Sequence, residues 1–390
     1  MDNSTNGALF STVSTAMIIT DRDAVCNIID DFFLEPRFWL AVVFGITISI
    51  VSIIFNSFIF VVFVTSKQHR NSYNLYLLLL ALFDVFMGAS YIAVLSIKVL
   101  INWTASYTLK SLWVSYMVPM LTISHVAITA STYLITFAAI ERYCITVNSS
   151  KVTFLQNHRK TIAFIAVMAG VISKGTILKE ITIKTNADCI GMLSEWSVEP
   201  SDLLKQHPLF NKIWRFYFRN VFTILAPFFI LLYLNAGLIH RLQEHSNSSK
   251  TATLTEDKQS FKQKKARIRA ATRTLIIIVC TYLMSNLLSV IITIWEYLDA
   301  ESLFQRYLSF YVLSVDSISL LTIVASCLRL PIYVTCQPLL RKEMYQFISQ
   351  LWTHKKMSRR MTLIENSQLT VESVGHAEAE SPSFGKIEFV

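Results

Sequence analysis

The chain has 390 residues, of which 53% are hydrophobic, and it carries a formal net charge of +9. This composition excludes an ordinary soluble domain, because the apolar residues lie in blocks long enough to cross a bilayer, which takes about 20 residues per helix. The positive charge does not require a nucleic-acid partner, since a basic rim beside anionic lipid explains the same residues. No metal-ligand cluster and no pairing of a nucleophile with a base stands out, so neither an enzyme nor a cofactor is expected.

The first 37 residues are polar and predict an N-terminal tail. They show neither the basic start nor the apolar run of a signal peptide, so we expect the first span to direct insertion. The apolar stretches that follow are too continuous for alternating barrel strands, which leaves helices. The sequence therefore predicts an all-α fold, a seven-transmembrane helix bundle over residues 38–336. The predicted spans are Phe38–Val64, Tyr73–Leu100, Leu112–Tyr143, Thr161–Leu178, Asn220–His240, Arg273–Trp295 and Leu308–Cys336.

After the seventh span, residues 337–352 place Leu340, Met344 and Phe347 at helical spacing. This pattern predicts an amphipathic helix on the inner leaflet of the membrane. Cys336, just before it, is a candidate for lipidation, although a plain buried thiol fits as well. Residues 353–390 are polar and are expected to form a disordered cytoplasmic tail.

Orientation is predicted from basic residues and glycosylation sequons. Lysines and arginines crowd the approach to the sixth span and the first two loops on the same side, which indicates that this side is cytoplasmic. The sequons at Asn3 and Asn102 fall on the opposite side and are candidates for glycosylation. We therefore expect a multi-pass plasma-membrane protein with its N-terminus outside the cell and its C-terminus inside.

The triplet Glu141-Arg142-Tyr143 lies at the inner end of the third of seven spans. In this position it resembles the corresponding motif of rhodopsin-like G-protein-coupled receptors. The resemblance implies that Arg142 is a switch, held by the adjacent Glu141 and released to an incoming partner helix. Tyr333, near the end of the seventh span, matches a further residue of this switch.

Polar residues inside the apolar spans are costly and therefore mark functional positions. Four of them are expected to form a polar network, namely Asn56, Asp84, Ser131 and Arg329. In the family, the matching Asn and Asp form a mid-membrane network in which a sodium ion often stabilises the inactive state. Here Arg329 stands where the family has a neutral or acidic residue, so we predict that it pairs with Asp84 in place of sodium. Two alternatives remain: Arg329 reaches the cytosolic surface, or Asn56 and Asp84 merely hold helices together.

The chain also departs from the family pattern at its cysteines. The third span usually begins with a Cys bridged to the second outer loop, but Met117 occupies that place. Cys26 and Cys189 are the two cysteines on the predicted oxidising side, so we expect them to bridge to each other.

The ligand class follows mainly from exclusion within the resemblance. An amine receptor would carry Asp where Ser124 stands, and an opsin would carry Lys in the seventh span. A long second outer loop and many aromatic residues near the outer mouth favour a peptide, although a bilayer-interface belt explains many of these aromatics. The guanidinium of an amidated Arg-Phe type peptide needs a carboxylate of the receptor as its partner, whereas an acidic ligand needs receptor cations. The candidate ligand-binding residues are Ser124, His125, Arg219, Asn286, Glu296 and Asp316.

Asn286 stands where most of the family has Trp, which resembles the invertebrate FMRFamide-type neuropeptide receptors. The resemblance implies a peptide ligand, heterotrimeric G proteins, arrestin and receptor kinases as partners. A chemosensory receptor for a small molecule and a seven-span ligand-gated channel are the alternatives.

Overall fold

In a computed structural model of the chain, the described residues are 33–65, 74–202, 219–248, 259–299, 301–338 and 340–350. Isolated positions are also described, namely Cys26, Gln206, Leu209, Ile213, Trp214 and Trp352. Asn3, most of the predicted N-terminal tail and the predicted C-terminal tail over residues 353–390 lie outside the described residues.

Seven helices in the described part of the chain are long and apolar enough to cross a membrane. Large apolar side chains such as Phe44, Phe164 and Met284 are exposed on these helices. Such exposure suits a lipid environment, where apolar side chains need not be buried in protein. The predicted seven-helix bundle is confirmed. The helices are α1 Leu34–Thr65, α2 Asn74–Thr104, α3 Tyr107–Thr146, α4 Arg159–Glu180, α5 Val221–Gln243, α6 Arg269–Leu298 and α7 Leu308–Cys336.

Helix α3 lies at the centre of the bundle. It contacts α2, α4, α5 and α6, while α1 packs on both α2 and α7. A glycine suits the contact between α3 and α4, because a Cβ atom at Gly170 would lie only 3.1 Å from the backbone nitrogen of Ala130. The middle of α4 therefore packs closely on the middle of α3.

Several helices extend beyond their predicted ends. Helix α3 begins at Tyr107, five residues before the predicted Leu112, because the Ser106 side chain accepts a hydrogen bond from the Leu109 amide at 3.4 Å and caps the helix. Helix α4 spans Arg159–Glu180, two residues beyond the prediction at each end, with a turn after Lys174 that precedes Ile177–Glu180. Helix α7 has the predicted bounds, with a turn at Leu328 that separates Leu308–Cys327 from Arg329–Cys336.

The loop between α4 and α5 contains two strands that the all-α prediction did not include. Strand β1, Ile181–Thr185, pairs antiparallel with β2, Trp196–Pro200, and Ile183 lies opposite Val198. Both segments alternate apolar and polar side chains, a pattern typical of strands. We call this side of the bundle the hairpin end and the opposite side, where α3 ends, the Arg142 end.

The chain divides into two units, Met1–Cys336 and Gln337–Val390. In the second unit, residues 340–350 are helical. Leu340 and Met344 are buried while Arg341 and Lys342 are exposed.

Candidate functional site

The middle of the bundle contains a buried ion pair. Nη1 of Arg329 on α7 contacts Oδ2 of Asp84 on α2, and the Asp84 side chain is fully buried. A lone charge at this depth would be expensive, whereas each partner here compensates the other. The structure therefore contains the ion pair expected from the sequence.

Asn56 takes part in a set of hydrogen bonds between α1 and α7. Its Nδ2 donates to the Ser52 carbonyl at 2.9 Å and to the Ser326 carbonyl at 3.2 Å. The Ser52 and Ser326 hydroxyls are 3.0 Å apart. Asn56 therefore joins α1 to α7, the helix that also carries Arg329.

Ser131 and Asn286 line a small internal cavity together with Arg329. The cavity measures about 20 Å³, enough for roughly one water molecule. The Ser131 hydroxyl is buried and has no hydrogen-bond partner among the described residues. Asn286 donates to the Tyr282 carbonyl at 2.9 Å, and the Tyr282 hydroxyl lies 3.1 Å from that of Thr132. Ser131 and Asn286 thus belong to one polar region between α3, α6 and α7.

At the Arg142 end, Glu141 is bound by a cation from another helix. Nε of Arg159, at the start of α4, donates to both carboxylate oxygens at 3.0 Å, and Nη2 also contacts Oε1. Arg142, the next residue, is also buried. The sequence had indicated only Arg142 as the partner of Glu141.

The two tyrosines of the predicted switch lie against different helices. The Tyr143 ring packs on α5, where a Cβ atom at Gly237 would lie 2.8 Å from it. The Tyr333 ring is buried and meets Phe63 of α1 edge-on, with ring centroids 6.2 Å apart. The residues from Glu141 to Tyr143 are thus in contact with both α4 and α5.

At the hairpin end, two of the candidate ligand-binding charges have internal partners. Asp316 of α7 accepts a hydrogen bond from Nε of Arg37 at 2.6 Å. Nη1 of Arg219 donates to both oxygens of Glu180, at 2.8 and 3.0 Å. All four side chains of these pairs are buried.

The other candidates at this end are half-buried: Ser124 and His125 on α3, and Glu296 on α6. Arg219 thus belongs to a pair with Glu180, whereas Asp316 belongs to a separate pair between α1 and α7.

The hairpin is attached to α3 without the family's usual disulfide. Met117 packs in a buried apolar cluster with Trp113 and with Leu193 of the loop. Tyr107 donates a hydrogen bond to Glu195 at 2.8 Å and stacks on Trp196, with ring centroids 5.3 Å apart. Apolar packing and aromatic stacking therefore take the place of the missing bridge.

A disulfide joins Cys26 to Cys189, with Cα atoms 5.4 Å apart, which confirms the predicted bridge. Asn102, a predicted glycosylation position, is half-buried in the last turns of α2. Cys336 is a free, half-buried thiol at the end of α7.

Sequence reasoning did not single out Arg37, Arg159 or Glu180. Each lies at the end of a helix, where a charge is ordinarily explained by contact with water or headgroups. The sequence does show, for each of these residues, a charge of opposite sign at a similar depth on another helix. It does not show which helices are neighbours, so it does not identify the partner. Among the described residues, no group of three His, Cys, Asp or Glu side chains is placed to hold a metal ion.

Comparison with known proteins agrees with this architecture. Residues 55–332 match the model of the seven-transmembrane receptor (rhodopsin) family. No curated protein matches the chain. Members of this family are receptors rather than enzymes, and they act from the plasma membrane on extracellular signals through G proteins. The matched region covers most of the chain and includes all seven helices in whole or in part, so the chain belongs to the rhodopsin family of seven-transmembrane receptors.

Proposed function

We propose that this receptor binds an extracellular neuropeptide, of the FMRFamide-like class, and activates heterotrimeric G proteins. The observation that carries the proposal is the position of Glu141-Arg142-Tyr143 at the end of α3 in a member of this family. An arginine there can leave its internal contacts and meet an incoming helix, so that one side chain shifts a two-state bundle.

The proposed orientation places the hairpin end outside the cell. The Cys26–Cys189 disulfide at that end supports it, because such bonds persist in oxidising compartments. The basic residues around the Arg142 end support a cytoplasmic location for that end. Arrestin and receptor kinases are proposed as partners of the C-terminal tail, whose clustered Ser and Thr would become strongly acidic on phosphorylation.

The hairpin end supplies the surface proposed for the peptide. The aromatic residues Tyr107, Trp196 and Trp295 offer apolar area there, and Glu296 adds a carboxylate. A peptide guanidinium that used Asp316 would have to displace Arg37 from it. We favour Glu296 as the carboxylate that a basic peptide meets first, because it is half-buried whereas Asp316 is buried.

A chemosensory receptor for a small molecule is the second candidate. The paired state of Asp316 and Arg219 favours it, because an uncharged ligand would bind without breaking either ion pair. A charged peptide that used these residues would have to replace buried internal contacts.

The decisive experiment is a screen of amidated peptides and of small odorant-like molecules on cells expressing the receptor, with calcium and cyclic-nucleotide reporters. We expect a peptide to activate the wild type, and Arg142→Ala to bind the same peptide at the cell surface without signalling. Activation by small molecules alone would favour the chemosensory candidate. Undiminished signalling by Arg142→Ala would contradict the proposed switch.

A further inference from the structure

Two arginines bear on Glu141: Arg142 is the next residue of α3, and Arg159 comes from the first turn of α4. Arg159 binds it through both carboxylate oxygens, with two Nε to oxygen distances of 3.0 Å. Such a charge-assisted contact from a planar guanidinium is among the stronger hydrogen-bond arrangements in proteins. Glu141 is almost completely buried, with 1% of its surface exposed, so its charge depends on these cations.

The position of Arg159 is not explained by the stability of α4. It lies in the first turn of the helix, where the helix dipole disfavours a positive charge. Its side chain nevertheless reaches Glu141 near the end of α3. Arg159 is therefore placed where its charge is unfavourable to its own helix and favourable to Glu141.

The contact between Arg159 and Glu141 affects how strongly Glu141 attracts Arg142, because there is one carboxylate for two guanidinium groups. Arg159 binds the buried carboxylate that directly precedes Arg142 in the sequence, so each contact with Arg159 leaves less of the Glu141 charge to attract Arg142. If Arg159 were removed, the buried Glu141 charge would lose a cation, and the adjacent Arg142 would be drawn to it more strongly.

We propose that Arg159 competes with Arg142 for Glu141 and thereby sets how readily Arg142 becomes available to a G protein. Arg159 is then a positioning residue of the switch, acting through Glu141. This inference rests on the proposed role of Arg142. Its distinctive consequence is that the loss of Arg159 and the loss of Glu141 have opposite effects.

The test measures binding of nucleotide-free G-protein heterotrimers, one from each main Gα class, to purified full-length receptor in phosphatidylcholine and phosphatidylserine nanodiscs. We expect Arg159→Gln to weaken the apparent affinity by about fivefold or more and Glu141→Gln to strengthen it by a similar factor, the usual range of coupling between sites. The double variant should match Glu141→Gln, because Arg159 has nothing to act through once Glu141 is neutral. Arg159→Lys, which keeps the charge but not the planar fork, should lie between wild type and Arg159→Gln.

The matched control is Lys160→Gln, which removes the same charge from the next, exposed position and should leave the affinity unchanged. An equal loss in this control would overturn the proposal, since general charge at this end would then explain the effect. Strengthened binding by Arg159→Gln would overturn it in favour of a simple clamp between α3 and α4. The proposal would also be overturned if Arg159→Gln lowered the affinity by the same factor in the Glu141→Gln variant.

The outcomes separate this proposal from the function on which it rests. If the wild-type receptor binds none of the heterotrimers, this result contradicts G-protein activation itself. It also contradicts the competition between Arg159 and Arg142, which depends on that activation. Wild-type binding that Arg159→Gln leaves unchanged contradicts the competition alone.

Discussion

Arg329 on α7 and Asp84 on α2 form an ion pair in the interior of the bundle, where neither side chain has appreciable contact with the surface. The pair joins α2 to α7, and Asn56 of α1 separately hydrogen-bonds to α7 through the Ser326 carbonyl. Each charge is tolerated at this depth because the other is present.

We predict that Asp84→Asn and Arg329→Gln each lower the free energy of unfolding by about 3–5 kcal/mol, because each leaves one buried charge uncompensated. The double variant should lose less than the sum of the single losses. Thermal unfolding of purified receptor measures all three. Asp84→Asn combined with Asp316→Asn, which belongs to a different pair, is the control and should be additive. Strict additivity of Asp84 with Arg329 would contradict the pair.

A second prediction is that sodium does not specifically stabilise the receptor, since Arg329 supplies the cation that Asp84 needs. The unfolding temperature should be equal in sodium chloride and in choline chloride at the same ionic strength. Arg329→Gln should create a preference for sodium, because Asp84 then lacks its internal cation. A sodium-specific rise in the wild type would refute this prediction.

The Cys26–Cys189 bridge closes a large loop, with a sequence separation of 163. We predict that Cys26→Ser, Cys189→Ser and their double variant are destabilised equally, by about 2–4 kcal/mol, because each removes the same covalent constraint. Peptide mapping without reduction should recover the two cysteines linked. Cys144→Ser, at a free thiol, should be neutral. Free thiols at both positions in the untreated protein are the result that excludes the bridge.

The apolar anchor of the hairpin gives a fourth prediction. Leu193→Ala should lower the free energy of unfolding by about 2–5 kcal/mol, because it leaves a cavity against Met117 and Trp113. Ile190→Ala, in the same loop but 67% exposed, is the matched control and should change little. Leu193→Ala should be more damaging when Cys26 and Cys189 are both Ser, since the loop then lacks its second attachment. Equal effects of Leu193→Ala and Ile190→Ala would contradict the anchor.

The contact of Arg37 with Asp316 gives a fifth prediction. Arg37→Ala should lower the unfolding temperature by leaving the Asp316 carboxylate buried without its cation, and added methylguanidinium should restore part of the loss. Asp316→Asn in the same background should abolish the rescue, since no carboxylate remains to bind the probe. Lys179→Ala, an exposed charge at the same end, should be neutral. Rescue that persists without Asp316 would show that methylguanidinium acts elsewhere.

The sequence alone determined the number of spans, the bounds of α7, the place of Glu141-Arg142-Tyr143 and the pairing of Cys26 with Cys189. Each of these depends on position along the membrane normal, which hydropathy and charge encode directly. Asp84 and Arg329 were predicted to pair because an isolated Arg329 at that depth is costly and the family resemblance implies that the two positions lie close together.

Only the tertiary structure decided which helices meet. Arg159 binds Glu141 because α4 packs on α3, and Arg37 reaches Asp316 because α1 packs beside α7. The packing of Leu193 on Met117 depends likewise on the fold of the hairpin. The depth of a residue in the membrane can be predicted from the order of apolar and charged residues along the chain. The lateral neighbours of a helix depend instead on the rotation and close packing of all seven helices together.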